Sequence, residues 1–496
     1  MSKGPQDDDF MENIKYANNS KDSKLSDSEK ELIKLQQEKE QFLQQQNHQF
    51  LEQLFKENST TPIKIQNVQT TNSQSFRDSF LAKQLQPLLQ SDNTVVSLEK
   101  FLGDIDGVSK NFAKSGTIEN LLVSVHAINP QTSIFRRRNT KPDTINIVPV
   151  FNLVPIKRFF AKTGTNIGNG EGDGYIQFQL RNLFGGGENL EFDATSGTKT
   201  QSSYLINYNQ PLFNNVNYMS ENLFYVNERK SDWIQSRVKG RGMTNKIYTR
   251  FEKLNHEVIL ENYWKLLDNY GSKSLEVLSQ SGSSYKSSIA YNLIYDSRNN
   301  KTLPTCGKFF QIGLEYNGLF KFNKYPYFKT AGQFQLNYNL PWINSTILTT
   351  SKFGILYPFT NTSSLLDRFY IGGPNDVRSF MMNGLGPKDY NASIGGDMFL
   401  NGGVSLISKI PRLDPESNFR IHNFINWGRL VKMQQYQGMT DNLKQLFHSH
   451  SVTYGIGILF NHPMARFELN VVVPLVAHET DSVRKGIQYG IGVSFL

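Results

Sequence analysis

The chain has 496 residues, 12% of them aromatic and 20% charged, with a net charge of +9 and one cysteine, Cys306. A lone cysteine excludes an intrachain disulfide framework. No apolar run approaches the roughly 18 residues of a membrane helix, which leaves open a membrane β-barrel, where only alternate residues meet lipid.

Charge is unevenly spread. Residues 1–60 carry eight Lys against twelve Asp and Glu, a net of −4, so the remainder carries +13. Asp7, Asp8 and Asp9 stand in a start that lacks an apolar core, so it is neither a secretory signal nor an Arg-rich transit peptide. A barrel encoded this way is expected to be made in a cytosol and imported on an internal signal. The 1–60 segment is rich in Gln, Glu, Lys, Asn and Ser, and Leu32, Leu35, Phe42, Leu43, Phe50, Leu51, Leu54 and Phe55 form a rough helical stripe. It reads as a helical or disordered acidic arm.

Residues 61–160 read as a small α/β unit. A strand at Ile63–Ile65 is followed by helical spacing at Phe76, Phe80, Leu81 and Leu85, ending at Pro87. A second helix opens at Ser97, with Leu98, Phe101, Leu102, Ile105, Val108 and Phe112 on one face, and Gly116 at the position of a helix-ending glycine. Strands follow near Leu121–Ala127 and Ile145–Leu153. Between them, Arg136, Arg137, Arg138 and Lys141 lack interleaved aromatics and read as a solvated loop, so no nucleic-acid partner is expected.

Residues 161–496 are dominated by period-2 patterning. Ile176, Phe178 and Leu180 alternate with Gln177, Gln179 and Arg181; Phe334, Leu336, Tyr338 and Leu340 alternate with Gln335, Asn337 and Asn339. In the final stretch Ile487, Tyr489, Ile491, Val493 and Phe495 alternate with Gly486, Gln488, Gly490, Gly492 and Ser494. Alternation alone fits a soluble sandwich or a barrel whose polar face lines a lumen. Three features favour the barrel. Segments run about 9–11 residues, the length of a tilted membrane strand; they continue over roughly 325 residues without an intervening soluble domain; and the chain ends on a strand. At about 20 residues per strand and loop the count is near 16 antiparallel strands.

Chemical motifs are sparse. Neither a nucleophile elbow nor a Walker loop occurs, and His256-Glu257 has Leu260 where a zinc protease needs its second His. No catalytic residue, metal site or cofactor is expected. The unusual stretch is Asp367–Gly403, a Gly/Asn/Pro-rich loop that interrupts the strand rhythm. Arg378 is its candidate anchor, because a guanidinium can grip a wall carboxylate in two places. Asp397 and Glu468 are the candidate partners.

These residues resemble a known family. Phe369-Tyr-Ile-Gly372-Gly373-Pro-Asn-Asp-Val-Arg378-Ser-Phe380 is similar to the lumenal-loop signature of the POTRA-plus-barrel outer-membrane assembly superfamily. Gly395-Gly-Asp397, Asn426-x-Gly428 and Asp296-Ser-Arg298-Asn resemble its barrel motifs. Ala465-Arg-Phe-Glu-Leu-Asn470 and the closing strand look closest to the mitochondrial branch, the central barrels of the sorting and assembly machinery (SAM complex). The terminal residues Gln488, Gly490, Val493 and Phe495 also match the mitochondrial β-signal pattern.

The resemblance implies a single POTRA domain at 61–160 facing the intermembrane space and an insertase in the mitochondrial outer membrane, not an enzyme. Its implied partners are unfolded β-barrel precursors, the lipid bilayer and accessory subunits on the cytosolic face. Arg378, Phe380, Gly372 and Gly373 would anchor the loop. A lateral gate would lie between a first strand carrying Tyr175, Gln177 and Gln179 and the last strand. A passive pore or polypeptide translocase on the same fold remains open. Ser379 departs from the family by standing where a glycine is usual, and would be strained if that position needs positive φ.

Overall fold

The computed structural model describes residues 52–91, 94–128, 144–168, 171–413, 417–434, 436–462 and 465–492, with residues 39, 46, 47 and 50. Most of the acidic arm, the Arg136–Arg138 cluster, and Val493 and Phe495 of the β-signal pattern lie outside the described residues. Residues 52–57 are helical.

Two compact units are found. The first comprises the chain to Gln69 with Pro87–Gly107 and Val123–Val150. Within it, β1 (Pro62–Ile65) pairs antiparallel with β3 (Val95–Ser97) and parallel with the start of β5 (Ile145–Pro155). Ile63, Ile65, Leu88, Val96, Phe101 and Ile147 are buried in this unit. The expected elements are present: the helices Asp78–Gln84 and Leu98–Ser115, with Gly116 at φ 62° where the second one ends, and β4 (Ile118–Ala127). Two short strands, β2 (Gln69–Thr71) and β3, are additional; at three residues each they carry too little periodicity to be legible.

The second unit holds Thr70–Gln86, Val108–Leu122 and everything from Phe151. Its strands begin with β6 (Phe159–Gly168), β7 (Glu171–Arg181), β8 (Asn189–Gly197), β9 (Thr200–Leu212), β10 (Asn215–Ser231), β11 (Ser236–Thr249) and β12 (Leu254–Asn269). They continue with β13 (Gly282–Asp296), β14 (Gly307–Asn317), β15 (Tyr327–Leu340) and β16 (Ser345–Pro358). After a two-rung hairpin of β17 (Lys388–Asp389) and β18 (Ala392–Ser393) come β19 (Met398–Lys409), β20 (Phe419–Val431), β21 (Ser451–Asn461), β22 (Arg466–Val476) and β23 (Gly486–Gly492). All but the small hairpin form one 16-stranded sheet, with sequential neighbours paired and β6 and β23 at the ends of the order. Every ladder is antiparallel; β16 joins β19 directly, across the long loop.

Burial along these strands is inverted relative to a soluble protein. On the last strands Ile487 is 68% exposed and Leu469 55%, whereas Asn470 is 2% and Gln488 4% exposed. The same holds for exposed Ile176, Phe178 and Leu180, and for buried Asn401, Ser405 and Asn426. A sandwich would hide the apolar face; here it points outward, as a lipid-facing band requires, and the polar face is enclosed. This burial favours the membrane barrel over the sandwich.

The long loop also shows that the sheet is rolled. Its Asp367 meets Lys265 on β12 at 2.6 Å and its Arg378 meets Glu468 on β22 at 2.8 Å, although these strands stand eight places apart in the sheet order. One loop touches both only if the sheet curves around it.

Strand direction sorts the connections into two ends. At one end, tight turns predominate: Phe213 and Asn214, both with positive φ (53° and 58°), turn β9 into β10, the two-residue hairpin geometry that matches strand twist. Here the segment before the barrel is fixed. Arg77 meets buried Glu188 at 2.7 Å, and its backbone N–H donates to the Gly185 carbonyl at 2.9 Å. Gln84 Nε2 donates to the Asn214 carbonyl at 2.7 Å and Lys114 Nζ to Asn217 at 3.1 Å. A Cβ on Gly186 would lie 1.8 Å from the Arg77 guanidinium, so this turn leaves no room for a side chain there. At the other end lie the long loops: Asn269 to Gly282, Pro358 to Met398, Val431 to Ser451 and Val476 to Gly486.

Candidate functional site

Between β16 and β19 the chain drops into the barrel. Gly372 and Gly373, at φ 103° and 127°, adopt backbone that only glycine takes readily and begin a tight fold. The Gly372 N–H donates to Asp376 Oδ2 at 2.9 Å, and the Gly373 N–H to the Val377 carbonyl at 3.2 Å. Phe380 is fully buried and packs with Ile371, Val377, Leu385, Phe399 and Leu430. This apolar knot fixes the backbone on both sides of Arg378.

Arg378 is itself fully buried and points at the wall. Its Nη2 and Nε donate to Glu468 Oε2 at 2.8 and 3.2 Å, and its Nη1 to Asn426 Oδ1 at 2.9 Å. Its guanidinium lies 4.4 Å from the Phe424 ring centre. A second guanidinium, that of Arg466, holds the other oxygen of Glu468 at 2.6 Å, and Asn470 Nδ2 donates to Oε2 at 2.9 Å. One carboxylate is thus shared by two arginines, one on the wall and one on the loop.

Ser379 stands at φ 71°, in the left-handed region, a conformation that costs a non-glycine residue roughly 1–2 kcal/mol. The backbone holds it there: its N–H donates to Gln488 Oε1 at 3.0 Å and its carbonyl accepts from Arg484 N–H at 2.8 Å. The loop continues along the last hairpin, with Met381 N–H donating to the Ser482 carbonyl and Gly386 N–H to Asp481 Oδ1, both at 2.9 Å.

The other candidate carboxylate, Asp397, is not at Arg378. Its Oδ1 accepts from Ser363 Oγ, its Oδ2 accepts the Met433 N–H at 3.0 Å, and it lies 3.8 Å from Arg368. Nearness in sequence to the loop's end placed it at the loop's own neck.

The Omp85 superfamily domain matches residues 182–495. The sorting assembly machinery 50 kDa subunit of Saccharomyces cerevisiae is 30% identical over 482 residues, covering 89% of this chain and 96% of the relative. The sorting and assembly machinery component 50 homologues of Xenopus tropicalis and Homo sapiens are each 31% identical over 355 residues, covering 70% of this chain and 75% of the relative. The chain belongs to the Sam50 branch of the Omp85 superfamily. BamA from Haemophilus ducreyi lacking POTRA domains 1–3 superposes with a TM-score of 0.69 at 15% identity, covering 87% of this chain and 84% of that one, a likeness of fold. Sam50 proteins are β-barrels of the mitochondrial outer membrane, and this chain is placed there with them. Omp85 proteins are insertases and channels rather than enzymes.

Of the residues expected at the first barrel strand, Tyr175, Gln177 and Gln179 lie on β7, the second strand, paired to β6 on one side and β8 on the other. The edge strand is β6. After outward Phe159, its next outward positions Ala161, Thr163 and Thr165 are small, so its alternation is faint in the sequence. Gln177 and Gln179 point inward, where both amides donate to Glu191. On β23, Gln488 and Gly490 face inward as expected, and Gln488 reaches the loop.

Sequence reasoning passed over Arg368, which is as deeply buried as Arg378. It meets Glu276 at 2.6 Å and donates to the carbonyls of Ile394 and Ser363, both at 3.0 Å. Glu276, on the short helix Leu275–Gln280, also meets Lys432 at 2.7 Å. Burial raises its pKa, but Arg368 and Lys432 outweigh that and hold it below the usual carboxylate range. Beside it, burial pushes the Asp367 carboxyl up, yet Lys265 and then Lys286 hold it down to about 2. Arg466 was findable, since it lies two residues from Glu468 on one strand and therefore on the same face.

Proposed function

We propose that this Sam50-family chain assembles β-barrel precursors into the mitochondrial outer membrane through a lateral opening between β6 and β23. In hydrocarbon every backbone N–H and C=O must be paired, so an unfolded strand cannot enter lipid alone. A strand edge offers it a template. The observation that carries this reading is the end-to-end order of the sheet, in which β6 and β23 are the terminal strands and no ladder between them is found among the described residues. Gly490 and Gly492 give the closing strand little side chain to pack, which favours its release. The loop held by Arg378 lies inside the lumen beside that strand, which weighs against a plain open pore. The segment carrying Arg77 belongs to a POTRA domain facing the intermembrane space, and helper subunits sit on the end bearing the long loops. Pairing and burial drive the reaction, so no nucleotide is needed.

The test is a covalent staple between β6 and β23, with depletion of the chain as the reference state. Porin-type barrels should fail to assemble in both. Normal assembly in the stapled protein ends the lateral-opening reading; normal assembly after depletion ends the insertase reading.

A further inference from the structure

Asn375 Nδ2 donates to the backbone carbonyl of Ile491 on β23, at 2.9 Å. The direction of that carbonyl follows from the ladder. In the turn joining β21 to β22, His462 and Ala465 exchange both backbone bonds, at 3.0 and 3.2 Å. Antiparallel pairs alternate between hydrogen-bonded and non-hydrogen-bonded. Phe460↔Phe467 is therefore hydrogen-bonded, and the polar groups of Phe467 point to β21. Phe467 also faces Ile491 across β22 and β23, so that pair is of the other kind. The N–H and C=O of Ile491 consequently point off β22, toward the free edge of the sheet.

We infer that Asn375 is an edge cap: a side-chain amide that occupies, on the free edge of β23, an acceptor that a pairing strand would otherwise use. Its platform is rigid. Asp376 N–H donates to the Gly373 carbonyl at 3.2 Å, and Asp376 Oδ1 accepts from Asn401 Nδ2 at 2.8 Å. Three residues on, the Arg378 contact to Glu468 sets how far the loop reaches. An unpaired carbonyl beside lipid is costly, and the amide meets that need without committing the edge to a strand. Any strand that zips onto β23 at this level, whether β6 or an extended client segment, must displace Asn375. The loop thereby holds the seam short of full pairing at Ile491. This inference rests on the lateral-opening reading above.

The test uses the full chain in lipid nanodiscs, with Cys306→Ser so that introduced thiols are unique. Two measurements are made. One is the yield of a short bis-maleimide crosslink between Thr163→Cys on β6 and Tyr489→Cys on β23, both on the outward face, without any client. The other is binding of a fluorescent peptide with the sequence Gly486–Leu496. In Asn375→Ala the freed carbonyl becomes available to β6. Crosslink yield should rise; the peptide, a copy of the closing strand, competes with β23 for the edge of β6, so its binding should weaken by about fivefold, the shift expected of one net hydrogen bond. Asn375→Asp, nearly isosteric but without the donor, should behave the same and covers the case in which the alanine variant misfolds. Asn375→Gln should restore part of the wild-type behaviour. Unchanged or decreased crosslinking in both donor-less variants overturns the edge cap. A wild-type protein that binds no peptide, while its crosslinking still responds to Asn375, leaves the cap standing and counts against the client-pairing reading.

Discussion

Arg368 and Arg378 share one loop, and both guanidiniums are fully buried, yet they hold it differently. The partners of Arg378, Glu468 and Asn426, belong to membrane-spanning strands near the closing edge. Arg368 turns instead to the loop's own carbonyls at Ser363 and Ile394 and to Glu276 on a neighbouring loop. The first ties the loop to the wall; the second folds the loop on itself and ties it to its neighbours at the barrel's end. Burial and charge alone do not separate the two roles. The elements that supply the partners do.

Removing the wall anchor should be the most damaging change. In Arg378→Ala, Glu468 keeps Arg466 but loses the loop, and breaking a buried pair costs about 3–5 kcal/mol. The temperature at which the compact barrel unfolds in detergent gels should fall markedly. Adding Glu468→Gln should cost less than the two single losses together, because the two residues share one interaction. Full additivity would mean that the pair is not a unit. Arg368→Ala should be milder for the barrel and harsher for the loop: proteolytic cleavage within 359–397 should speed up while strand unfolding moves by at most about 1–3 kcal/mol. If the barrel melts as early as with Arg378→Ala, the distinction between the two anchors fails. The smallest effect is expected of Ser379→Gly. Relief of the left-handed conformation is offset by the greater freedom of glycine when unfolded, leaving a gain of about 1 kcal/mol or less in thermal unfolding. A clear loss would show that the serine side chain contributes there.

Much of this could be read from the chain. Period-2 alternation in segments of membrane length gave the strands, and the Gly/Asn/Pro-rich loop with Arg378 pointed to an interior anchor. What alternation could not give was which face meets lipid, because a sandwich and a barrel write the same pattern; burial decided it. Nor could it give β6, whose outward Ala161, Thr163 and Thr165 are too small to mark a face. The choice between Asp397 and Glu468 was equally closed to sequence, since it depends on how a 16-stranded sheet curves back on its own loop. Arg368 was missed for a related reason: two of its partners are main-chain carbonyls, which leave no trace in residue identity, and its carboxylate partner Glu276 lies on a different loop.

The glycine turn at 185–187 has a mechanical consequence. Three consecutive glycines ordinarily suggest slack, yet the bare backbone is what lets Arg77 close onto Glu188. Any torque on the preceding segment is delivered through that clasp to the β7–β8 hairpin, one strand in from the terminal strand β6. The clasp sits where a small push has the most leverage on the end of the sheet.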